Sequence, residues 1–167
     1  MTTRQQKKSP PKAVRTSTAA RGRQSDPSDE PTSQPSTTEG LDGAMRALSL
    51  ALEKKAVEPI LLDVRQLCSF CNYQLVISGR SDRQVDAIAD AIELGLKNEG
   101  MRPISTEGAR TGQWALLDYG DFVVHVFLHS AREHYDLEGL WNDAARIPID
   151  VPADARLPEP YESSALQ

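Results

Sequence analysis

Residues 114–128 constrain this chain more than any other stretch. Two apolar runs, residues 114–117 and 122–128, flank Asp118-Tyr119-Gly120-Asp121. Short runs rich in Val, Phe and Trp on either side of a glycine turn read as antiparallel strands. A type I turn followed by Gly120 in the left-handed region fits, because a side chain there would clash at positive φ. The second run is apolar on both faces: Phe122, Val124, Val126 and Leu128 alternate with Val123, His125 and Phe127. A strand covered on both faces is a central one, so this hairpin predicts the middle of an α/β domain.

The 167 residues suit one ordinary domain with tails. Charge is uneven along them. Residues 1–40 carry seven basic and four acidic side chains; residues 41–167 carry twelve and twenty. The acidic part disfavours direct contact with nucleic acid backbone, DNA included, and favours a partner with a basic surface. No apolar run reaches the length of a membrane span, and no signal-peptide core follows Met1. Two cysteines three apart do not make the disulfide framework of a secreted domain. The expectation is a soluble protein acting in the cytoplasm.

Residues 1–40 hold five prolines, thirteen Ser or Thr and no aromatic residue, and are expected to be disordered. Their bases, from Arg4 to Arg23, leave three readings: a solvated tail, a weak RNA-contacting arm, or a transit peptide. Pro10 and Pro11 interrupt the amphipathic helix the last would need. From Leu41, the positions Ala44, Met45, Leu48, Leu52 and Ala56 recur at helical spacing, and Glu58-Pro59 should end that helix. Residues 60–64 and 73–78 read as strands. Ser81 through Gln84 reads as a capping box opening a helix with Val85, Ile88, Ala89, Ile92 and Leu96 on one stripe. A loop with a short extended piece at residues 103–106 leads to the hairpin. Residues 130–141 should form one or two helical turns, with Tyr135, Leu137, Leu140 and Trp141 folded back on the sheet. From Arg146 onward, prolines and scattered acids read as a second disordered tail, residues 146–167.

Several residue groups suggest chemistry, and each has a plainer reading. Cys68 and Cys71 stand at metal or redox spacing but supply two of the four ligands a structural zinc needs; small, partly buried thiols explain them. His125, His129 and His134 lack a His-x-x-x-His pair, and His125 reads as a core or interface histidine bonded through one ring nitrogen. Asp118 and Asp121 share a turn where Asp commonly bonds the backbone. Gly79-Arg80-Ser81 could hold a phosphate but lacks the second glycine and the lysine of a P-loop. Trp114 divides evenly between a core tryptophan and an interface anchor.

The ordered matches Lys55-Ala56, Leu62-Asp63-Val64, Ser78-Gly79-Arg80-Ser81-Asp82-Arg83-Gln84-Val85 and Ile88-Ala89-Asp90 carry a family resemblance. So do Pro103, Glu107-Gly108, Trp114 through Asp121, Val124-His125-Val126-Phe127, Tyr135-Asp136-Leu137-Glu138 and Leu140-Trp141. The chain resembles the Iojap-like ribosomal silencing factors over residues 41–145. It departs from them at Glu58-Pro59, Cys68, Cys71, Asn72 and Gln74. The resemblance implies a nucleotidyltransferase-like α/β fold without the active site, with a mixed sheet of four or five strands. It also implies binding to ribosomal protein fourteen of the large ribosomal subunit, a block on small-subunit joining, and repressed translation. No cofactor, metal or catalytic residue is expected. Organellar relatives make large-subunit assembly an alternative role; a phosphoryl-transfer enzyme and a thiol or metal module are others. A homodimer off the ribosome stays open.

The resemblance places Glu107 and Trp114 on the contact surface. Strand alternation adds Leu116 and Asp118, which share a face with Trp114, and Gly108 completes the loop beside them.

Overall fold

The computed structural model describes residues 40–158. The expected disorder of residues 1–39 and 159–167 lies outside these. The helix α1, Leu41–Glu53, buries Ala44, Ala47, Leu48 and Ala51 on one stripe. It ends four residues earlier than the proline suggested. The Lys54 and Lys55 amides close onto the carbonyls of Ala51 and Leu52 respectively, and Lys55 turns the chain at a φ of 62°. Pro59 instead lies inside the strand β1, Val57–Asp63, where the register with the next strand slips between Val57 and Ile60 and Glu58 has a φ of 48°. A bulge is where a strand tolerates a residue without an N–H.

The strand β2, Tyr73–Gly79, is buried throughout. The helix α2, Asp82–Asn98, follows, capped by Ser81, whose hydroxyl accepts from Gln84 N. Gln84 does more than reach back. Its Oε1 accepts from Arg80 N at 2.7 Å, and its Nε2 donates to the carbonyls of Lys54 and Lys55 at 3.0 and 2.9 Å. One side chain thus ties the end of α1 to the start of α2, satisfying carbonyls the first helix leaves open. Arg80 donates to the carbonyls of Lys55 and Asp154. With these groups engaged, Gly79-Arg80-Ser81 is a joint between elements and offers no phosphate cradle.

Three strands complete the hairpin region: β3, Ser105–Glu107; β4, Trp114–Asp118; and β5, Phe122–Leu128. Gly120 sits in the turn at a φ of 84°. Two short helices, α3 at His129–Tyr135 and α4 at Leu137–Leu140, lead to β6, Ala145–Ile147. The sheet order is β3-β4-β5-β2-β1-β6, with β2 and β5 parallel and the other pairs antiparallel. It is a mixed α/β sheet of six strands, one more than the upper expectation. The surplus strand is β6, which lies across the boundary drawn at residue 146. Main-chain pairing with Leu61–Asp63 holds it, and three residues are too few to show alternation in sequence. The chain stays folded beyond it: Ala155 is buried and Leu157 N donates to Glu58 Oε1.

The two faces of the sheet are unequally covered. On one, α1 and α2 pack over Tyr73, Leu75, Ile77, Ala115, Leu117, Val124 and Val126, forming the main core. On the other, residues 129–144 cover only part, over a small cluster of Leu62, Val64, Cys71 and Val123.

Candidate functional site

The half-covered face is where the site forms. Along β4, Trp114, Leu116 and Asp118 alternate with the buried Ala115 and Leu117, and all three are half-buried. Across the ladder Leu116 opposes His125 on one side and Glu107 on the other, so these side chains share the face. Together they line a groove of about 340 Å3. Its apolar walls are Trp114, Leu116, Phe70, Leu137, Leu140 and Trp141, and Glu107 and Asp118 stand among them. A smaller pocket of about 220 Å3 adjoins it, lined by Glu107, Gly108, Trp114 and Leu116.

The structure brings all five expected contact residues together, with different tasks. Trp114 is half-buried and packed from within. Its ring stacks against Phe127 and His125, with centroids 5.0 and 5.8 Å away, and meets Tyr135 at a tilt with centroids 4.9 Å apart; its Nε1 donates to His125 Nδ1 at 3.2 Å. Gly108 is there for its backbone: at a φ of 67°, a Cβ would lie 2.1 Å from the Trp114 carbonyl oxygen. Asp118 spends one carboxylate oxygen on the turn, accepting from Gly120 N at 2.8 Å.

His125 fits the one-nitrogen reading. It is 5% exposed, and burial pushes its pKa down to about 4, so the ring is neutral near pH 7. Indole N–H only donates, so Nδ1 must be the bare nitrogen and the proton sits on Nε2. That Nε2 is buried without a partner, and so is the Oε1 of Gln74, a residue 3% exposed on the same groove.

Sequence reasoning missed Gln74 and Phe70 as groove residues, and misjudged Leu140. The last does not fold onto the sheet: Leu140 is 74% exposed and Phe70 69% exposed, both at the groove. Also unforeseen is Arg132 on α3. It is buried and donates to Glu138 Oε1 at 2.5 Å, the Glu58 carbonyl at 2.6 Å and Ser78 Oγ at 3.0 Å. Arginine on a seven-residue helix gives no sequence sign of such burial.

Cys68 and Cys71 lie with sulfurs 3.7 Å apart beneath this face, and burial pushes the Cys71 thiol up to about 12. Among the described residues no group of three His, Cys, Asp or Glu side chains gathers as a metal site, and no helix is long and apolar enough to cross a membrane.

A sequence profile of the family described as "Ribosomal silencing factor during starvation" matches residues 37–166. The chain belongs to that family. It is 41% identical to the ribosomal silencing factor of Chromobacterium violaceum over 87 residues, 52% of this chain and 71% of that protein. It is 38% identical to the one of Bacillus subtilis over 98 residues, 59% and 83% of the two chains. With the chloroplastic Iojap protein of Zea mays it shares 32% identity over 119 residues, 71% of this chain and 50% of that protein. A crystal structure of a Chromobacterium violaceum protein superimposes with a TM-score of 0.60 at 34% identity, covering 68% of this chain and 93% of that one. By family the chain is a ribosomal silencing factor.

Proposed function

We propose that this chain docks on the large ribosomal subunit through the groove beside β3 and β4, seated on ribosomal protein fourteen, and so keeps the small subunit from joining. Translation falls as a result. Such an activity belongs wherever ribosomes are, the cytoplasm for a bacterial chain. The observation that carries this reading is the convergence of Glu107, Trp114, Leu116 and Asp118 on one groove that the helical layer leaves uncovered. Aromatic and aliphatic anchors framed by acids suit a partner that is apolar at its contact and basic around it. The acidic balance of residues 41–167 adds electrostatic steering toward such a partner.

The test uses purified subunits under joining conditions, followed by gradient sedimentation. The protein should shift joined ribosomes toward free subunits and co-sediment with the large one. Glu107→Lys, at an exposed strand end, should stay folded and lose both effects. Trp114→Ala should weaken binding by about 2 kcal/mol or more, roughly 30-fold. Co-sedimentation with the small subunit, or joining that proceeds unhindered, would sink the proposal.

A further inference from the structure

Two residues lining the groove, His125 and Gln74, each have one buried polar atom without a partner, one a donor and the other an acceptor. His125 accepts from Trp114 at Nδ1, so its free Nε2 carries a proton and can only donate. Gln74 turns its Nε2 toward Cys71 Sγ, at 3.8 Å, leaving Oε1 as an unpartnered acceptor. The two stand on neighbouring parallel strands. Gln74 opposes Val123 and His125 opposes Val76, which sets both side chains on the same face, one diagonal step apart. Buried polar groups without partners are uncommon and costly, and two residues that carry them line this one groove.

We propose that the groove receives the carboxamide of an Asn or Gln side chain from its docking partner. The amide oxygen accepts from His125 Nε2–H, and the amide NH2 donates to Gln74 Oε1. The methylenes of that residue lie between Trp114, Leu116 and Trp141. This rests on the docking reading above and names what that partner must present there.

Charged side chains fail one half of the pair. Lys and Arg offer no acceptor for His125, and Asp and Glu offer no donor for Gln74 and meet Glu107 and Asp118 nearby. A hydroxyl concentrates both functions on one atom, whereas the floor groups stand on strands roughly 4.8 Å apart. Main chain cannot reach a floor this buried while carrying its own side chains. A nucleobase edge can match the pair, but it arrives on a phosphate chain, which the two acids repel. The same acids favour Lys or Arg flanking the inserted amide.

A double-mutant cycle between the chain and isolated ribosomal protein fourteen tests this. Gln74→Met keeps the side chain's length and removes its polar atoms. It should weaken binding about tenfold, since it leaves the incoming NH2 unpaired. In the partner, each exposed Asn is changed to Leu and each exposed Gln to Met. One such change should also cost about tenfold, and combining it with Gln74→Met should cost about tenfold in total, not a hundredfold. If Gln74→Met melts well below wild type, His125→Phe carries the same cycle. Unchanged affinity for Gln74→Met, or no partner amide that couples to it, overturns the inference. So does weaker binding to whole subunits with unchanged binding to the isolated protein, which would assign the groove to ribosomal RNA. Loss of the docking reading itself is seen separately, as Glu107→Lys binding like wild type.

Discussion

Lowering the pH from 7 to 4.5 should weaken the fold through His125. Its pKa is about 4 in the folded chain, because burial penalises the charged ring, against an ordinary 6.5. Charging would also set Nδ1–H against the Trp114 indole N–H, 3.2 Å away, and break that hydrogen bond. Between those two pH values the unfolded chain binds a proton that the folded chain refuses, so stability falls as pH falls. At about 1.4 kcal/mol per pH unit, the gap of about 2.5 units is worth about 3 kcal/mol, of which about 2.5 is gone by pH 4.5. Asp63, held low by its hydrogen bond from Arg65, titrates beneath this window; its stability is lost only at lower pH. The assay is urea unfolding at pH 7.5, 6.5, 5.5 and 4.5 for wild type and His125→Phe. The variant gives up the Trp114 acceptor, so its absolute stability is a poor readout and its slope is the right one. Wild type should lose about 2 to 3 kcal/mol more than the variant across the window. Parallel slopes would refute the argument.

Gly108→Ala should destabilise by about 2 kcal/mol or more in thermal unfolding, because a Cβ meets the Trp114 carbonyl oxygen at 2.1 Å and the φ is 67°; a change under about 0.5 kcal/mol would contradict it. Arg132→Met should cost about 3 to 5 kcal/mol by leaving Glu138, Ser78 and the Glu58 carbonyl without their donor, and Arg132→Lys should recover less than half. Iodoacetamide at pH 8 should modify Cys68 well before Cys71, whose buried thiol, pushed up to about 12, stays protonated; mass spectrometry finding equal rates would refute this. Deleting residues 1–40 should leave the salt dependence of large-subunit binding unchanged, and a flatter slope in the truncated chain would instead assign them contacts to RNA phosphates.

The parts legible in sequence were those with local causes. Gly120 between two apolar runs announces the hairpin, and Ser81 with Gln84 announces the start of α2. Trp114, Leu116 and Asp118 could be placed on one face because side chains on a strand alternate. What failed depended on partners distant in sequence. The strand β6 exists because β1 offers it an edge, not because Ala145-Arg146-Ile147 prefers to be extended. Pro59 misled because Lys55 and Glu58 take positive φ without being glycine, and tertiary contacts hold them there: Lys55 O accepts from Gln84, Glu58 O from Arg132. Gln74 reaches the groove through parallel pairing of β2 with β5, whose register sets Tyr73 against Phe122, 49 positions away in sequence. No local pattern reports such a neighbour.

The unequal cover of the two faces separates stability from recognition. The face under α1 and α2 holds the large apolar cluster and needs nothing from outside. The groove face keeps Phe70 and Leu140 in water and two floor groups without partners, all of which disfavour the free protein. Covering either of those two side chains fully would return about 1.5 to 3 kcal/mol, before the entropy of association is subtracted. A surface that is poorly satisfied alone has the most to gain from a partner. Because the main core lies behind the sheet, groove residues such as Gln74 can change without dismantling the fold. The helical layer holds the sheet in place from the opposite face.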